Sequence, residues 1–586
     1  MNLKQIFLSA FLLLQVPVAA AGNMTTDGQW WKEAIVYQIY PASFLDTDGN
    51  GWGDIAGINS KLDYIKDLGV DMIWLSPFYE SPMIDMGYDV SNYASVNPLF
   101  GGKMEDIDYF IEQVHLRGMY CIFDLVINHS SDQHRWFQES RSSKDSPKRD
   151  WYFWKDAQWR NGTRIPPNNW ASDGESSAWQ WEVLTGQYYY HSFAPSQVDY
   201  DWTNPETRNA IYNESMFFWL DKGIDGFRID VFSRYSKKPG FPNIPANDTK
   251  LHSGLPYVDD GPKIHDYWSE IHDKVLSKYR TFTVGEYHTT DNMTQVQNFI
   301  APQRKEINTV FLKNMADVGR DDHSRSNWTL NDMREAIQFV QDAGDPKFGG
   351  GWNTIFMENH DYPRSVSWFC DDSPDFRNQS AKMLSVLQTT LSGTLFLLQQ
   401  QEIGMINYPS DEWSMADIRD YIDNDYLEEV HRDGGDVERA FEDVKLSSRD
   451  NARTPFNWNR TGEFSSDSTT WIKQVNKEIN LADQLDDQSS VYNFWKTMIL
   501  IRKLYRDVFN NGAFHLEDDE DSSFLVYSKK ARESEGEAWI IINWSKNDCL
   551  KPPVSVPEGF QLLISTHDSK ADDYDAYEAR VYTKNL

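Results

Sequence analysis

The string GFRIDV, residues 226–231, ends an apolar run on a carboxylate, Asp230. The same arrangement recurs in TVGEY, which places Glu286 after the apolar residues 281–285, and in ENHD, which places Asp361 after residues 353–358. A charge at the end of a buried strand is unfavourable unless chemistry requires it. Because the active sites of (β/α)-barrels lie at the carboxyl ends of the strands, these carboxylates predict such a barrel, with a site for acid–base and nucleophilic chemistry.

Strand-like runs alternate with helix-like segments along the chain, and their number matches the eight strands of a closed barrel. The predicted strands are residues 34–40, 72–76, 119–126, 226–231, 281–286, 308–312, 353–358 and 394–399. Between the second and third, MEDIDYFIEQVHLRG (104–118) repeats apolar residues every three or four positions, as an amphipathic helix does. Residues 205–223 begin with proline and end with glycine, which are typical helix boundaries. The predicted fold class is therefore α/β, an eight-stranded barrel.

The remaining segments predict additions to this barrel. The barrel occupies residues 28–127 and 202–505, and residues 128–201, rich in Trp, Asn and Pro, are too long for a loop and predict a separate lobe after the third strand. Residues 406–449 form a second, acidic and helix-like insertion. Short alternating runs in residues 506–586 predict a C-terminal antiparallel β domain.

Composition excludes several classes of partner. The chain has 586 residues, a net charge of -33 and a pI near 4.7, so nucleic acid and anionic membranes would both repel it. Its 23 Trp, 29 Tyr and 32 Phe supply a large core and also rings that can pack on the faces of sugars. The three cysteines, Cys121, Cys370 and Cys549, do not form a disulfide framework.

The first residues predict export. Residues 1–21 combine one lysine, a short apolar run and small residues at the end, which is typical of a cleaved secretory signal peptide. No later stretch predicts a transmembrane helix. Several N-x-S/T strings agree with a secreted glycoprotein carrying N-linked glycans. They lie at Asn23, Asn161, Asn213, Asn247, Asn292, Asn327, Asn378, Asn459 and Asn543, and Asn128 also fits but is expected to be buried.

A series of longer strings identifies a family. From about residue 30 to residue 502, the chain resembles the α-amylase superfamily (glycoside hydrolase family 13), in its α-glucosidase and oligo-1,6-glucosidase (maltase–isomaltase) branch. The strings are WWKEAIVYQIYPASF, DMGYD, DLVINHSSDQHRWF, SRSSKDSPKRDWYFW, PPNNW, GFRIDV, GPKIHDY, VGE, ENHDYPRSVS, QEIGM and SRDNARTP.

This resemblance implies three catalytic roles. Asp230 is the nucleophile, Glu286 is the general acid/base, and Asp361 holds sugar hydroxyls and favours a distorted ring. The implied chemistry is retaining double displacement, which requires the first two carboxyl groups to lie about 5–5.5 Å apart. Asp230 must be ionised, with help from Arg228 on the same side of the strand, and Glu286 must hold a proton.

The resemblance also implies a pocket for the non-reducing glucose. Hydrogen-bonding groups surround the hydroxyls, and two aromatic rings supply stacking faces. The implied residues are Asp85, Tyr88, His129, Phe193, Gln197, Arg228, His360 and Arg453. Val231, which follows the nucleophile, lies beside the wall toward the leaving group, and the family resemblance associates valine here with α-1,6 and sucrose-type bonds.

One further string predicts a structural metal. DTDGNGWGD supplies Asp46, Asp48, Asn50 and Asp54 at alternating positions, with glycines for a tight loop, like an EF-hand oxygen cage. The family resemblance implies Ca²⁺ or Mg²⁺ here, with the carbonyl of Trp52 as another ligand. No organic cofactor is expected.

Several positions depart from the family pattern. Tyr362 follows ENHD where glutamine is usual, Trp368 precedes FCDD, and Gln400 replaces a glycine before QEIG. VGE is followed by Tyr287 and His288. We expect these changes to lie near the leaving group, with bulky aromatic residues narrowing the site for short substrates.

The sequence thus predicts a secreted exo-acting α-glucosidase that acts on small oligosaccharides such as isomaltose, sucrose and maltose. A transglucosidase or sucrose isomerase would use the same intermediate and pass glucose to a sugar. A catalytically silent binding or receptor relative is the non-enzymatic alternative, and the complete set of carboxylates argues against it. An endo-acting amylase is disfavoured because the pocket strings describe a closed site.

Overall fold

A computed structural model describes residues 29–173, 176–248, 250–321, 323–466, 469–517, 523–567 and 572–586. The predicted signal peptide, residues 1–21, and the N-x-S/T string at Asn23 lie outside the described residues. Within the described part of the chain, the longest and most apolar helices fall short of what a membrane span requires.

Eight parallel strands form the central sheet, and each coincides with a predicted strand. They are β1 (Ile35–Ile39), β2 (Met72–Leu75), β3 (Tyr120–Leu125), β4 (Gly226–Ile229), β5 (Phe282–Glu286), β6 (Thr309–Phe311), β7 (Thr354–Ile355) and β8 (Thr394–Leu398). The hydrogen-bonded order runs β6-β5-β4-β3-β2-β1-β8-β7. A parallel bridge between Val310 and Asn353 brings β6 beside β7, so the barrel is nearly closed. The predicted fold class is confirmed.

Helices surround this barrel and fill the connections between its strands. The α-helices are Ile55–Ser60, Leu62–Leu68, Met104–Leu116, Arg135–Ser142, Pro205–Ile211, Phe218–Lys222, Ile264–Lys274, Met293–Ile300, Leu330–Asp342, Ser365–Phe369, Arg377–Thr390, Tyr421–Arg432, Val437–Ser447, Leu481–Leu485, Val491–Leu504 and Arg506–Phe509, and Tyr212–Phe217 is π-helical. The helix Met104–Leu116 buries the four apolar residues that its sequence places at helical spacing, Ile107, Phe110, Ile111 and Val114.

Alternation along the strands divides the core into two layers. Side chains such as Val36, Trp74 and Phe311 fill the barrel interior, while their neighbours in sequence pack outward against the helices. The carboxyl end of each strand therefore stands on a rigid, filled barrel, which can hold side chains of the adjoining loops in fixed positions.

The lobe after β3 is built from short antiparallel pairs. His129–Ser131 pairs with Gln197–Asp199 and joins the two ends of the lobe. Trp179–Glu182, Gln187–Tyr190 and Trp154–Lys155 form a three-stranded sheet above it. An aromatic cluster that includes Trp170 and Phe241 ties the lobe to the loop after β4. The lobe therefore covers the carboxyl ends of the strands.

Two further units lie in the segments predicted as an insertion and a C-terminal domain. In the insertion, Tyr421–Arg432 and Val437–Ser447 pack on a small apolar cluster of their own. The C-terminal domain is a five-stranded antiparallel sheet in the order β9-β10-β11-β13-β12. Its strands are β9 (Ala513–Leu516), β10 (Phe524–Lys530), β11 (Glu537–Asn543), β12 (Gln561–Ser565) and β13 (Ala579–Lys584).

Most of the asparagines in N-x-S/T strings are accessible. Asn161, on a hairpin of the lobe, and Asn213, Asn247 and Asn327 are exposed, whereas Asn128 is buried as expected. Asn543 was expected in a polar stretch, but it is buried and donates to the backbone carbonyls of residues 547 and 575. This asparagine therefore serves the packing of the C-terminal domain.

Candidate active site

The three carboxylates singled out from the sequence meet at the carboxyl end of the barrel. Asp230 follows β4, Glu286 ends β5, and Asp361 lies in the loop after β7. A single guanidinium joins the first two, because Arg228 Nη1 lies 2.9 Å from Asp230 Oδ1 and Nη2 lies 2.6 Å from Glu286 Oε2. The predicted orientation of Arg228 toward Asp230 is therefore observed.

Arg228 also binds a carboxylate that sequence reasoning missed. Its Nη1 lies 2.9 Å from Asp124 Oδ1, and both side chains are at most 1% exposed. Asp124 further accepts hydrogen bonds from Trp74 Nε1 and the Tyr88 hydroxyl. Its position in β3, within the DLVINH string, was the available signal. Three carboxylates thus share one cation in a buried setting.

A second missed residue contacts Glu286 from the opposite side. Lys313 follows β6, and its Nζ lies 2.8 Å from Glu286 Oε1. Each oxygen of Glu286 therefore faces a cation, Lys313 on one side and Arg228 on the other. A lysine directly after a predicted strand was the signal in the sequence.

The electrostatics of the free site differ from the predicted protonation states. Burial raises the pKa of Asp230 well above its usual range, against the opposing effect of Arg228. Burial alone would also raise the pKa of Glu286, but Lys313 and Arg228 outweigh it and lower that pKa to about 2. In the free site the carboxyl that holds a proton most readily is therefore Asp230, whereas the mechanism expected a protonated Glu286.

Asp361 is held ionised. Burial opposes its charge, but the guanidinium groups of Arg449 and Arg453, joined by His360 at the low pH where that imidazole is protonated, lower the pKa of Asp361 well below its usual range. Both arginines place a guanidinium nitrogen 3.3 Å from Asp361 Oδ1. Arg449, at the end of the insertion, also lies 3.3 Å from Asp85 and 2.6 Å from Asp420. Its guanidinium group therefore links acidic residues from two different segments around the pocket.

The predicted glucose-pocket residues are brought together. The Tyr88 ring stacks on His360 with 5.3 Å between ring centroids, and its hydroxyl lies 2.6 Å from His360 Nε2. Gln197 Nε2 donates to Asp85 Oδ2 over 3.0 Å and lies 3.3 Å from His129 Nε2. The half-buried Phe193 ring lies 5.2 Å from the His129 ring.

Burial keeps both pocket histidines neutral. It lowers the pKa of His129 to about 4 and that of His360 to about 3. The ring nitrogens of both histidines have partners within the protein: His360 contacts Gln38 and Tyr88, and His129 contacts Asn128 and the carbonyl of residue 88. The two neutral rings therefore hold the pocket side chains in place, and the charges of the pocket lie on arginine and carboxylate groups.

Val231 adopts an unusual backbone conformation. Its φ is 35°, a left-handed value that a β-branched residue rarely takes, and its N–H points to Glu286 Oε2 over 3.4 Å. Such strain is typical of functional sites that the surrounding structure holds in place. The half-buried valine thus follows Asp230 and contacts Glu286 through its backbone, and its predicted place beside the wall toward the leaving group stays a prediction.

The three departures from the family pattern lie deeper than expected. Tyr362 is 4% exposed and donates its hydroxyl to Asp317, while Trp368 is 2% exposed and donates to the carbonyl of residue 318. Gln400, fully buried at φ 73°, holds the backbone of residues 454 and 457. These side chains therefore hold the walls of the site through buried hydrogen bonds, and the expectation that bulky aromatics narrow it for short substrates stays a prediction.

The predicted metal loop forms a compact turn. Asp46, Asp48 and Asp54 each place a carboxylate oxygen within 4.8 Å of the others, and burial, followed by the negative charges of Asp46 and Asp54, raises the pKa of Asp48. Clustered carboxylates that repel one another fit a hard divalent cation. The Asn50 side chain instead accepts from the Trp52 N–H and donates to the carbonyl of residue 99.

Comparisons with known proteins agree with this geometry. The catalytic-domain model of the alpha-amylase family matches residues 38–512. An alpha-glucosidase of Candida albicans is 42% identical over 95% of this chain and 99% of its own length, and an oligo-1,6-glucosidase of Parageobacillus thermoglucosidasius is 40% identical over the same shares.

Solved structures of other proteins also resemble this chain. An isomaltulose synthase of Erwinia rhapontici NX5, solved with its natural substrate sucrose, superposes with a TM-score of 0.87 at 35% identity and covers 95% of this chain and 100% of its own. Similarity of sequence and of fold thus runs through the barrel, the lobe and the C-terminal domain. The chain therefore belongs to the alpha-amylase family, glycoside hydrolase family 13, and is a glycoside hydrolase.

Proposed function

We propose that this protein is a secreted retaining exo-α-glucosidase that releases terminal glucose from disaccharides and short oligosaccharides of the isomaltose, sucrose and maltose type. The observation that carries the proposal is the guanidinium of Arg228, which contacts Asp230 and Glu286 together. Two carboxylates bridged in this way are close neighbours, which supports double displacement, for which the carboxyl groups lie about 5–5.5 Å apart.

The proposed reaction has two steps. Asp230 attacks the anomeric carbon while Glu286 gives a proton to the departing oxygen, and a covalent glucosyl ester forms. Glu286, now ionised, removes a proton from water, which attacks the same carbon and frees Asp230. Asp361, held ionised by its arginines, binds hydroxyls of the glucose ring.

The charges of the substrate-free site allow it to stabilise the transition state more strongly than the bound substrate. Before substrate binds, burial favours a proton on Asp230, whereas attack needs that proton on Glu286. Positive charge that develops on the sugar ring stabilises an ionised Asp230 far more than a neutral substrate does. The interaction is therefore stronger in the transition state than in the ground state, which is what accelerates a reaction.

An exo mode of action follows from the far wall of the pocket. Arg449 joins Asp85 and Asp361, and Arg453 adds a second contact to Asp361. We propose that these ion pairs close the pocket beyond the non-reducing glucose, so that a longer chain has no path past it. The expected product is glucose.

Transfer to a sugar is the second candidate, because the neighbouring structures include an isomaltulose synthase solved with sucrose. It would form the same intermediate and differ in the acceptor. Incubation with sucrose, maltose, isomaltose and trehalose, followed by identification of every product, separates the two. Free glucose and fructose from sucrose support hydrolysis, and a rearranged disaccharide as the main product supports transfer.

Two variants test the proposed roles. Asp230→Asn keeps the shape but removes the attacking charge, so turnover should fall by several orders of magnitude with folding intact. Glu286→Gln should harm natural disaccharides far more than activated aryl α-glucosides, because only the former need a proton, and azide should rescue it as α-glucosyl azide. Equal loss on both substrates without rescue would assign the role to another residue.

Secretion and a structural metal are also part of the proposal. The composition of residues 1–21 and the exposed asparagines at 161, 213, 247 and 327 support export and glycosylation. The carboxylate cluster of Asp46, Asp48 and Asp54 supports one Ca²⁺ or Mg²⁺, which would stabilise the loop before the helix Ile55–Ser60. The cluster is proposed as a stabilising site, separate from the carboxylates of the reaction.

A further inference from the structure

Lys313 lies in the first turn after β6, in contact with Glu286, the proposed acid/base. Its Nζ contacts Glu286 Oε1 at 2.8 Å, while Arg228 contacts Oε2 at 2.6 Å. The lysine side chain is 23% exposed and the glutamate 14%, so the pair is mostly shielded from water. An ion pair in this setting is screened far less than one at the surface.

The other charges around the pair are mixed. Carboxylates of Asp230 and Asp361 act on Glu286 from β4 and the loop after β7, and the neutral His360 lies on the same side. Lys313 also faces Asp317, which is held by the Tyr362 hydroxyl. Arg234 adds a more distant positive charge. Lys313 and Arg228 are the cations in direct contact with Glu286.

Building on the proposed function, we propose that Lys313 is a positioning residue that holds Glu286 ionised and thereby favours the second step of the reaction over the first. In the first step Glu286 must carry a proton for the leaving group. In the second it must be ionised to accept a proton from water. A cation in contact with Oε1 opposes the first state and stabilises the second.

The two steps can be measured separately. With disaccharides, kcat/KM reports glucosyl transfer to Asp230 and requires protonated Glu286, so its basic limb follows the pKa of that group. With an activated aryl α-glucoside the first step is fast, and kcat reports hydrolysis of the intermediate. Removing the lysine charge should therefore move the two quantities in opposite directions.

The test compares Lys313→Met with Lys313→Arg and with Lys347→Met, whose lysine is 60% exposed on the surface. For K313M we expect the basic limb of kcat/KM on isomaltose and the acidic limb of kcat on the aryl glucoside both to rise by about one pH unit or more, so that kcat falls about tenfold at a fixed pH on that acidic limb. K313R should restore both, and K347M should match the wild type. A Lys313→Gln variant serves if K313M does not fold.

The outcomes separate this inference from the proposed function. If K313M and K347M share the same pH limb and the same kcat on the aryl glucoside, Lys313 does not set the state of Glu286 and the inference is wrong. If instead Glu286→Gln lacks the leaving-group dependence and the azide rescue, the assignment of Glu286 fails first. Thermal unfolding of each variant verifies that the comparison concerns folded protein.

Discussion

Replacing Arg228 perturbs its contacts with three carboxylates of the site. Arg228→Lys keeps one positive charge, but an ammonium group lacks the planar fork that reaches Asp230 and Glu286 together. The loss of one charge-assisted hydrogen bond costs about 1.5–3 kcal/mol. If that cost falls on the transition state, kcat/KM decreases by roughly tenfold to 150-fold. Because Nη1 contacts both Asp124 and Asp230 whereas Nη2 reaches Glu286, we expect Oε2 of Glu286 to lose its contact while Oε1 keeps Lys313.

Arg228→Met removes the charge altogether. Asp124, Asp230 and Glu286 then remain buried without their common cation, and breaking a buried pair in this way costs about 3–5 kcal/mol of stability. The carboxyls should take up protons, so their pKa values rise above those of the unfolded chain. An acidic group whose pKa is higher in the folded state than in the unfolded state destabilises the fold as pH increases through that range. The melting temperature of the variant should therefore be closer to that of the wild type at pH 5 than at pH 8.

The assay for both variants is kcat/KM on an activated aryl α-glucoside, together with melting temperature at the two pH values. Arg460→Met, at an arginine that is 74% exposed, controls for the loss of one positive charge. We expect R460M to match the wild type. An R228M protein as active and as stable as R460M would refute the reasoning that one guanidinium holds the carboxylates in place.

The wild-type enzyme should act on isomaltose-type or sucrose-type bonds at least as well as on maltose, because Val231 presents methyl groups to the leaving group; Val231→Thr should shift the ratio toward maltose by roughly tenfold to a hundredfold, and an unmoved ratio would assign linkage preference to other residues. Chelation should lower the melting temperature and leave the catalytic pH profile largely unchanged, and Asp48→Ala should abolish this response; elemental analysis that finds no stoichiometric Ca²⁺ or Mg²⁺ in protein purified without chelator would contradict a metal site. Burial raises the pKa of Glu402, which accepts a 2.6 Å hydrogen bond from Tyr37, to about 7. Since this is above its unfolded value of about 4.5, stability should fall by about 3 kcal/mol as pH rises from about 4.5 to 7 and then level off, and Glu402→Gln should flatten the melting temperature across that range.

The barrel could be predicted because each of its strands corresponds to a local run of apolar residues in the sequence. Each apolar run is long enough to cross the sheet, and the helices carry their own periodicity, as Met104–Leu116 does. The limits of the strands were less predictable. Residues 353–358 were predicted as one strand, but only residues 353–355 pair with neighbouring strands, because the chain then turns to bring His360 and Asp361 to the pocket.

The three carboxylates assigned to the reaction could be predicted because each follows an apolar run, and Arg228, His360 and Arg453 lie in strings that carry the family resemblance. Lys313 and Arg449 were not predicted. Arg449 ends an insertion far from β4 and β5 in sequence, and no local pattern indicates that it contacts Asp361. Protonation states also escaped prediction. They depend on how many cations contact each oxygen, which only the folded arrangement of Arg228 and Lys313 determines.

The most direct test of the central claim is to identify the atom that carries the glucosyl group. A fluorinated α-glucosyl fluoride that forms the intermediate quickly and releases it slowly should inactivate the enzyme and add one sugar per chain. Digestion and mass spectrometry should then locate that sugar on the peptide that contains Asp230. A label on any other carboxylate, or none while the first product is β-glucose, would contradict double displacement through Asp230.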